Sequence, residues 1–275
     1  MPATAKNEIE RYLRTGEYDP HFACWPGNFM DRARQADSEL KDALIAEVRR
    51  RTGYTTLRET VANVDVVGFT RRKVEPMVRG LFTRTEQEAV LATLEQSVVF
   101  LDSASIFEVL AKADWLHTAW HLANLFLVSA DAELLDPDAP SLVGLSEETT
   151  CYVSMTYFDR GGRFEDFLVH EAAHVFHKCK RHTIGLPETR RREWLLDIEF
   201  RKRETFAYAC EAYSRLLELG RTLSLRKSLL LELADDFAPP EERVSRDEYV
   251  DILSEAVSAR NGWKRILARC TPQRR

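Results

Sequence analysis

The chain of 275 residues is long enough for one large domain, or for a larger domain with a smaller helical partner, and its 44% hydrophobic and 30% charged residues are an ordinary globular mixture. A formal net charge of −5 gives no global reason to expect nucleic acid. The five scattered cysteines (Cys24, Cys151, Cys179, Cys210, Cys270) form no C-x-x-C pair, so neither a disulfide framework nor a cysteine-only zinc knot is indicated.

The N-terminal residues lack the apolar stretch of a signal peptide, and no apolar run approaches the ~20 residues of a membrane span. A cytoplasmic protein with reduced thiols is the expectation. Residues 4–14 read as a short polar helix, followed by turns through Gly16 and Pro26-Gly27. Ser38 is the expected cap of a helix reaching Arg51 and stopped by Gly53. Residues 54–82 are ambiguous, and Val64 to Val67 fit either a strand or a helix. Thr85 opens a further helix.

Val98 to Leu101 is a short apolar run with the marks of a buried strand. Residues 105–113 and 115–128 alternate by three and four, as helices do. A loop is expected over 136–148, then a strand over 149–158, rich in β-branched and aromatic residues. From Phe164 the pattern turns helical. Arg190 to Leu219 reads as one or two helices ending at Gly220, and 224–236 and 246–260 as two more. The expected fold is predominantly helical α+β: a helical region over 1–97, a core over 98–220, and C-terminal helices over 221–275.

The chemistry is concentrated in His170-Glu171-Ala172-Ala173-His174. Residues four apart on a helix lie on one face, so the two imidazoles can grip one cation. Zinc accepts imidazole nitrogen and keeps a reactive position when the protein supplies three ligands. Glu171, rotated by about 100° from His170, can reach a water on the metal without ligating it. With seven histidines in the chain, this spacing arises by chance in on the order of one in a hundred sequences. The flanking residues Phe167, Leu168, Val169, Val175 and Phe176 are apolar, as in a helix buried beneath a site.

This segment resembles the HExxH zinc metallopeptidases, the zincins. The resemblance implies a zinc-dependent hydrolase acting on a peptide or protein substrate, with Glu171 as general base. It also implies that the strand ending near Phe158 could pair with an extended substrate at the edge of the cleft. The branch with HExxHxxGxxH is excluded, because His177 and Lys180 stand at its glycine and third-histidine positions. A gluzincin-like branch takes a glutamate from a later helix. Glu204, in Glu204-x-x-Ala207, is the first choice, with Glu211 seven residues on as ligand or as partner of a histidine. His177 lies one further turn along the face of His170 and could touch the site. Tyr208 and Tyr213 are candidates to stabilise an oxyanion.

Rival residues have bland explanations. His117 and His121 are four apart but lack an adjacent acid and an obvious third ligand. Cys179 and His182 fall near the helix end. Nine Lys/Arg against four Asp/Glu lie in 178–203, and nine Asp/Glu against two Lys/Arg in 232–255. Solvated faces account for both stretches. The alternative function is an intracellular regulatory or partner-binding protein on the same scaffold, with little or no proteolysis.

Overall fold

A computed structural model describes residues 4–53, 65–139, 143–158, 162–190, 192–236, 239 and 241–272. Within them the chain is predominantly helical, with a small three-stranded sheet, an α+β arrangement. It divides into two compact units, each assembled from separated stretches of chain: one comprises Met1–Asn63, Phe100–Val143 and Ser154–Thr156, the other Val64–Val99, Gly144–Val153 and Tyr157–Arg275. The three consecutive regions expected from the sequence do not coincide with these units.

In the first unit, α1 (Ala5–Thr15) is capped by Thr4, whose side chain accepts the Asn7 N–H, and ends at Gly16 in the left-handed region. That glycine is required: a Cβ there would come within 2.8 Å of the Trp120 ring. Helix α2 (Phe29–Thr52) is capped ten residues before the expected cap at Ser38, because Asn28 accepts the Met30 and Asp31 N–H groups. Ala36, Leu40, Leu44 and Val48 form its buried stripe. Helices α5 (Ile106–Lys112) and α6 (Leu116–Ser129) complete the unit. Tyr12 donates to the Leu116 carbonyl at 2.6 Å and Trp120 to the Leu13 carbonyl at 3.1 Å, tying α1 to α6.

The second unit holds α3 (Val66–Leu81), capped by Asp65, and α4 (Arg84–Glu95), capped one residue earlier than expected by a Thr83–Glu86 box. The ambiguous stretch is thus helical from Val66, and residues 54–64 lie outside the described residues. Strands β1 (Val98–Leu101), β2 (Gly144–Glu147) and β3 (Thr150–Ser154) form a sheet in the order β1-β3-β2. Strand β2 lies inside the expected loop; it has no β-branched residue, and its antiparallel pairing with β3 decides its conformation. Strand β3 is shorter than expected and turns into a 3-10 helix at Met155.

Helix α7 (Phe167–Lys178) follows, capped by Asp166, and packs against α8 (Arg203–Leu219). Residues 192–199 are not α-helical, contrary to expectation. The Leu195 and Leu196 N–H groups donate to the Cys179 and Phe176 carbonyls, so this segment satisfies acceptors at the end of α7. Helices α9 (Leu223–Asp236) and α10 (Arg246–Ser258) appear as expected, and α11 (Gly262–Cys270), which the sequence reading omitted, buries Trp263 and Ile266.

Candidate metal centre

Helix α7 is apolar on nearly every side: Leu168, Val169, Ala172, Ala173, Val175 and Phe176 are fully buried. Its polar residues His170, Glu171, His174 and His177 are buried with them. Burying four polar side chains on one helix is costly unless each is matched to a partner. The partners come chiefly from α8, where the small residues Ala207, Ala209 and Ala212 are buried.

His170 Nε2 and His174 Nε2 are 3.2 Å apart. Glu204 Oε2 lies 3.3 Å from the second and 3.8 Å from the first. Four ligands at ~2.0–2.1 Å around a tetrahedral ion are separated by about 3.3 Å. The three protein atoms are therefore spaced as three corners of such a polyhedron. Among the described residues this is the one group of three or more ligating side chains so arranged.

Glu204 and Glu211, two turns apart on α8, share a face and meet successive turns of α7. Glu211 does not join the cluster. Its Oε2 faces His170 Nδ1 at 3.0 Å, and its Oε1 accepts the Asp166 N–H at 2.7 Å. Both oxygens are committed to orienting His170, whose Nε2 is turned towards the cluster. Asp166 is held by the Lys73 ammonium at 2.8 Å and the Tyr157 hydroxyl at 3.1 Å. A chain of contacts thus runs from α3 through the α7 cap and α8 to the first histidine.

Glu171 is 7% exposed and accepts no hydrogen bond from the described residues. It lies under Gly144, the first residue of β2, where an added Cβ would come within 2.8 Å of its Oε1. Lys178, two turns on, anchors β2 by donating to the Ser146 carbonyl at 2.5 Å and hydroxyl at 2.9 Å.

The electrostatics fit a cation. Burial would strip the proton from His170, but the hydrogen-bonded Glu211, with Glu171 and Glu204, lifts its pKa to about 9. Burial raises the Glu204 carboxyl, yet the hydrogen bond to His174 and the charges around it outweigh that and hold it at about 2. Burial keeps His174 below its ordinary value and takes His177 down to about 3. Burial raises the Glu211 carboxyl, and its hydrogen bond to His170 opposes that, so Glu204 and Glu211 flank the histidine pair in an arrangement that stabilises positive charge there. The donor set of two imidazoles and a carboxylate suits zinc.

The other sequence candidates are sorted by position. Tyr208 packs its ring edge-to-face on His170, with centroids 4.5 Å apart, whereas Tyr213 points elsewhere and packs on Trp263 at 4.8 Å. The proposed oxyanion role for Tyr213 therefore has no geometric basis. His177 Nε2 meets His174 Nδ1 at 2.9 Å, so it touches a cluster member and is not a third imidazole in the cluster. His182 is exposed and pairs with Glu188, and Cys179 is the buried C-cap of α7. In the first unit His117 and His121 bring Nε2 atoms within 2.9 Å of each other with no carboxylate joining them among the described residues.

Residues the sequence reading missed are Asp166, Lys73, Gly144, Lys178 and Arg243. Arg243 pairs with Glu241 at 2.7 Å and lies 3.6 Å from Glu204 Oε1. Asp166 carried a signal, an acid at a cap position just before an apolar helical run. The others carried none.

Comparison with protein families, curated proteins and solved structures yields no match for this chain. The functional reading therefore rests on the site alone.

Proposed function

We propose that the chain is a zinc-dependent hydrolase cleaving an amide bond of a peptide or protein, on a zincin-like site of the gluzincin type. The observation that carries this reading is the convergence of His170 Nε2, His174 Nε2 and Glu204 Oε2 beside a buried acid, Glu171, that accepts no hydrogen bond among the described residues. When bound there, the cation lowers the pKa of a water towards ~7 and polarises a substrate carbonyl. Glu171 would serve as the base for the water that attacks the carbonyl carbon and would return the proton to the departing amine. Glu211 keeps His170 in the tautomer whose Nε2 lone pair faces the cluster. Tyr208, packed on His170, is the better placed of the two tyrosines to donate to the developing oxyanion.

The strand available to an extended substrate is β2. Strand β3, assigned that role from the sequence, is flanked on both sides in the sheet, whereas β2 is an edge and its Gly144 touches Glu171.

The test is metal analysis of the purified protein, joined to hydrolysis of a mixed peptide library read by mass spectrometry. The expected result is about one zinc per chain, with cleavage that Glu171→Gln abolishes while zinc is retained. Absence of bound zinc overturns the metal reading. Zinc binding with no cleavage by the wild type favours the regulatory alternative.

A further inference from the structure

His177 is 4% exposed, its Nε2 faces His174 Nδ1 at 2.9 Å, and its own Nδ1 has no hydrogen-bond partner among the described residues. An orphaned buried donor or acceptor is a destabilising feature. A leucine or phenylalanine would fill the same volume without one. What the histidine adds is the bond to His174. The usual partner of a ligating imidazole is a carboxylate, a carbonyl or a water. On this chain the first histidine has such a partner in Glu211, while the second has another imidazole.

An imidazole can give or accept through Nε2, so this bond has two forms. If His177 accepts, His174 carries its proton on Nδ1 and presents a bare Nε2 towards His170 and Glu204. If His177 donates, the proton of His174 sits on Nε2, 3.3 Å from Glu204 Oε2, and satisfies that carboxylate without a metal. Both forms leave each ring neutral and cost no net charge.

We propose that His177 is a positioning residue for metal binding: by accepting from His174 Nδ1 it selects the tautomer that binds zinc, and by donating it closes the empty cluster with a hydrogen bond. The inference rests on the metal reading above and deepens it. The metal enters against a hydrogen bond that rearranges, not against bare lone pairs.

Zinc affinity by chelator competition and the visible spectrum of the cobalt(II)-substituted protein test this in His177→Leu and His177→Gln, the second keeping an acceptor near the Nε2 position. Loss of the partner should weaken zinc about 10- to 100-fold in the leucine variant and alter the cobalt band, with the glutamine variant recovering most of the affinity. An unchanged affinity in His177→Leu overturns the inference. If that variant does not fold, nitrogen-15 NMR of histidine-labelled wild-type protein decides. His174 should carry its proton on Nε2 without zinc and on Nδ1 with it, and a tautomer unmoved by zinc overturns the inference. Failure of the wild-type protein to bind zinc at all sinks the underlying reading instead.

Discussion

Two glutamates on one helix face have opposite fates, and the difference is what each oxygen touches. Glu204 has one oxygen within reach of both histidine Nε2 atoms, while Glu211 spends both oxygens on His170 and the Asp166 N–H. Glu204→Ala should abolish zinc binding, and Glu211→Ala should weaken it about 10- to 100-fold, as loss of a hydrogen-bonded partner typically does. Isothermal titration of the two variants separates them, and equal losses would contradict the assignment. Gly144 allows a sharper test of Glu171. A methyl group there collides with the Glu171 side chain, so Gly144→Ala should retain zinc yet lose most of any hydrolytic activity. Full activity in that variant would show that the carboxylate does not need its present position.

At the level of elements, an unexpected tie joins α4 to the turn after α7. Arg181, within the basic stretch 178–203, is 1% exposed and pairs with Glu86, the residue that also closes the Thr83 capping box. Removing one partner of a buried pair costs about 3–5 kcal/mol, so Arg181→Leu should be severely destabilising in chemical denaturation. Burial raises the Glu86 carboxyl, but Arg181 and the Thr83 groups outweigh it and hold the folded-state pKa at about 2, against 4.5 for an unperturbed glutamate. A carboxyl depressed in the folded state contributes stability that is fully present above its unfolded value. That stability, on the order of 3 kcal/mol, is lost as the pH falls from about 4.5 through 2. Stability measured against pH should therefore drop across that window, and Glu86→Gln should flatten that part of the curve.

For the molecule as a whole, every residue of the candidate centre belongs to the second unit. A ligand that binds only the folded state adds about 2.7 kcal/mol at one hundred times its Kd, which for a domain of this size raises Tm by roughly 5–10 °C. Zinc should produce that rise in the wild-type protein, and a chelator should reverse it. His174→Ala should show neither. Hydrogen exchange should slow with zinc over α7 and α8 and stay unchanged over α1, α2 and α6. Slowing of equal size in both units would argue against a single centre in the second.

The positions of His170, Glu171 and His174 were legible in the residues alone, because a helix puts residues four apart on one face whatever surrounds it. The same holds for the α2 stripe at Leu40, Leu44 and Val48, and for the helical character of α6 to α10, where local periodicity states what will be buried. Other features required the folded chain. Glu204 and Glu211 have the same local chemistry, and only the packing of α8 on α7 gives one to the cluster and the other to His170. Strand β2 has no propensity of its own and exists because β3 offers it a hydrogen-bonding edge. Residues 192–199 carry a helical pattern but stay irregular, and the Leu195 and Leu196 N–H groups are taken by carbonyls at the end of α7. Local spacing decides what shares a face; which residues meet across faces is decided by long-range packing and by the demand that buried polar groups find partners.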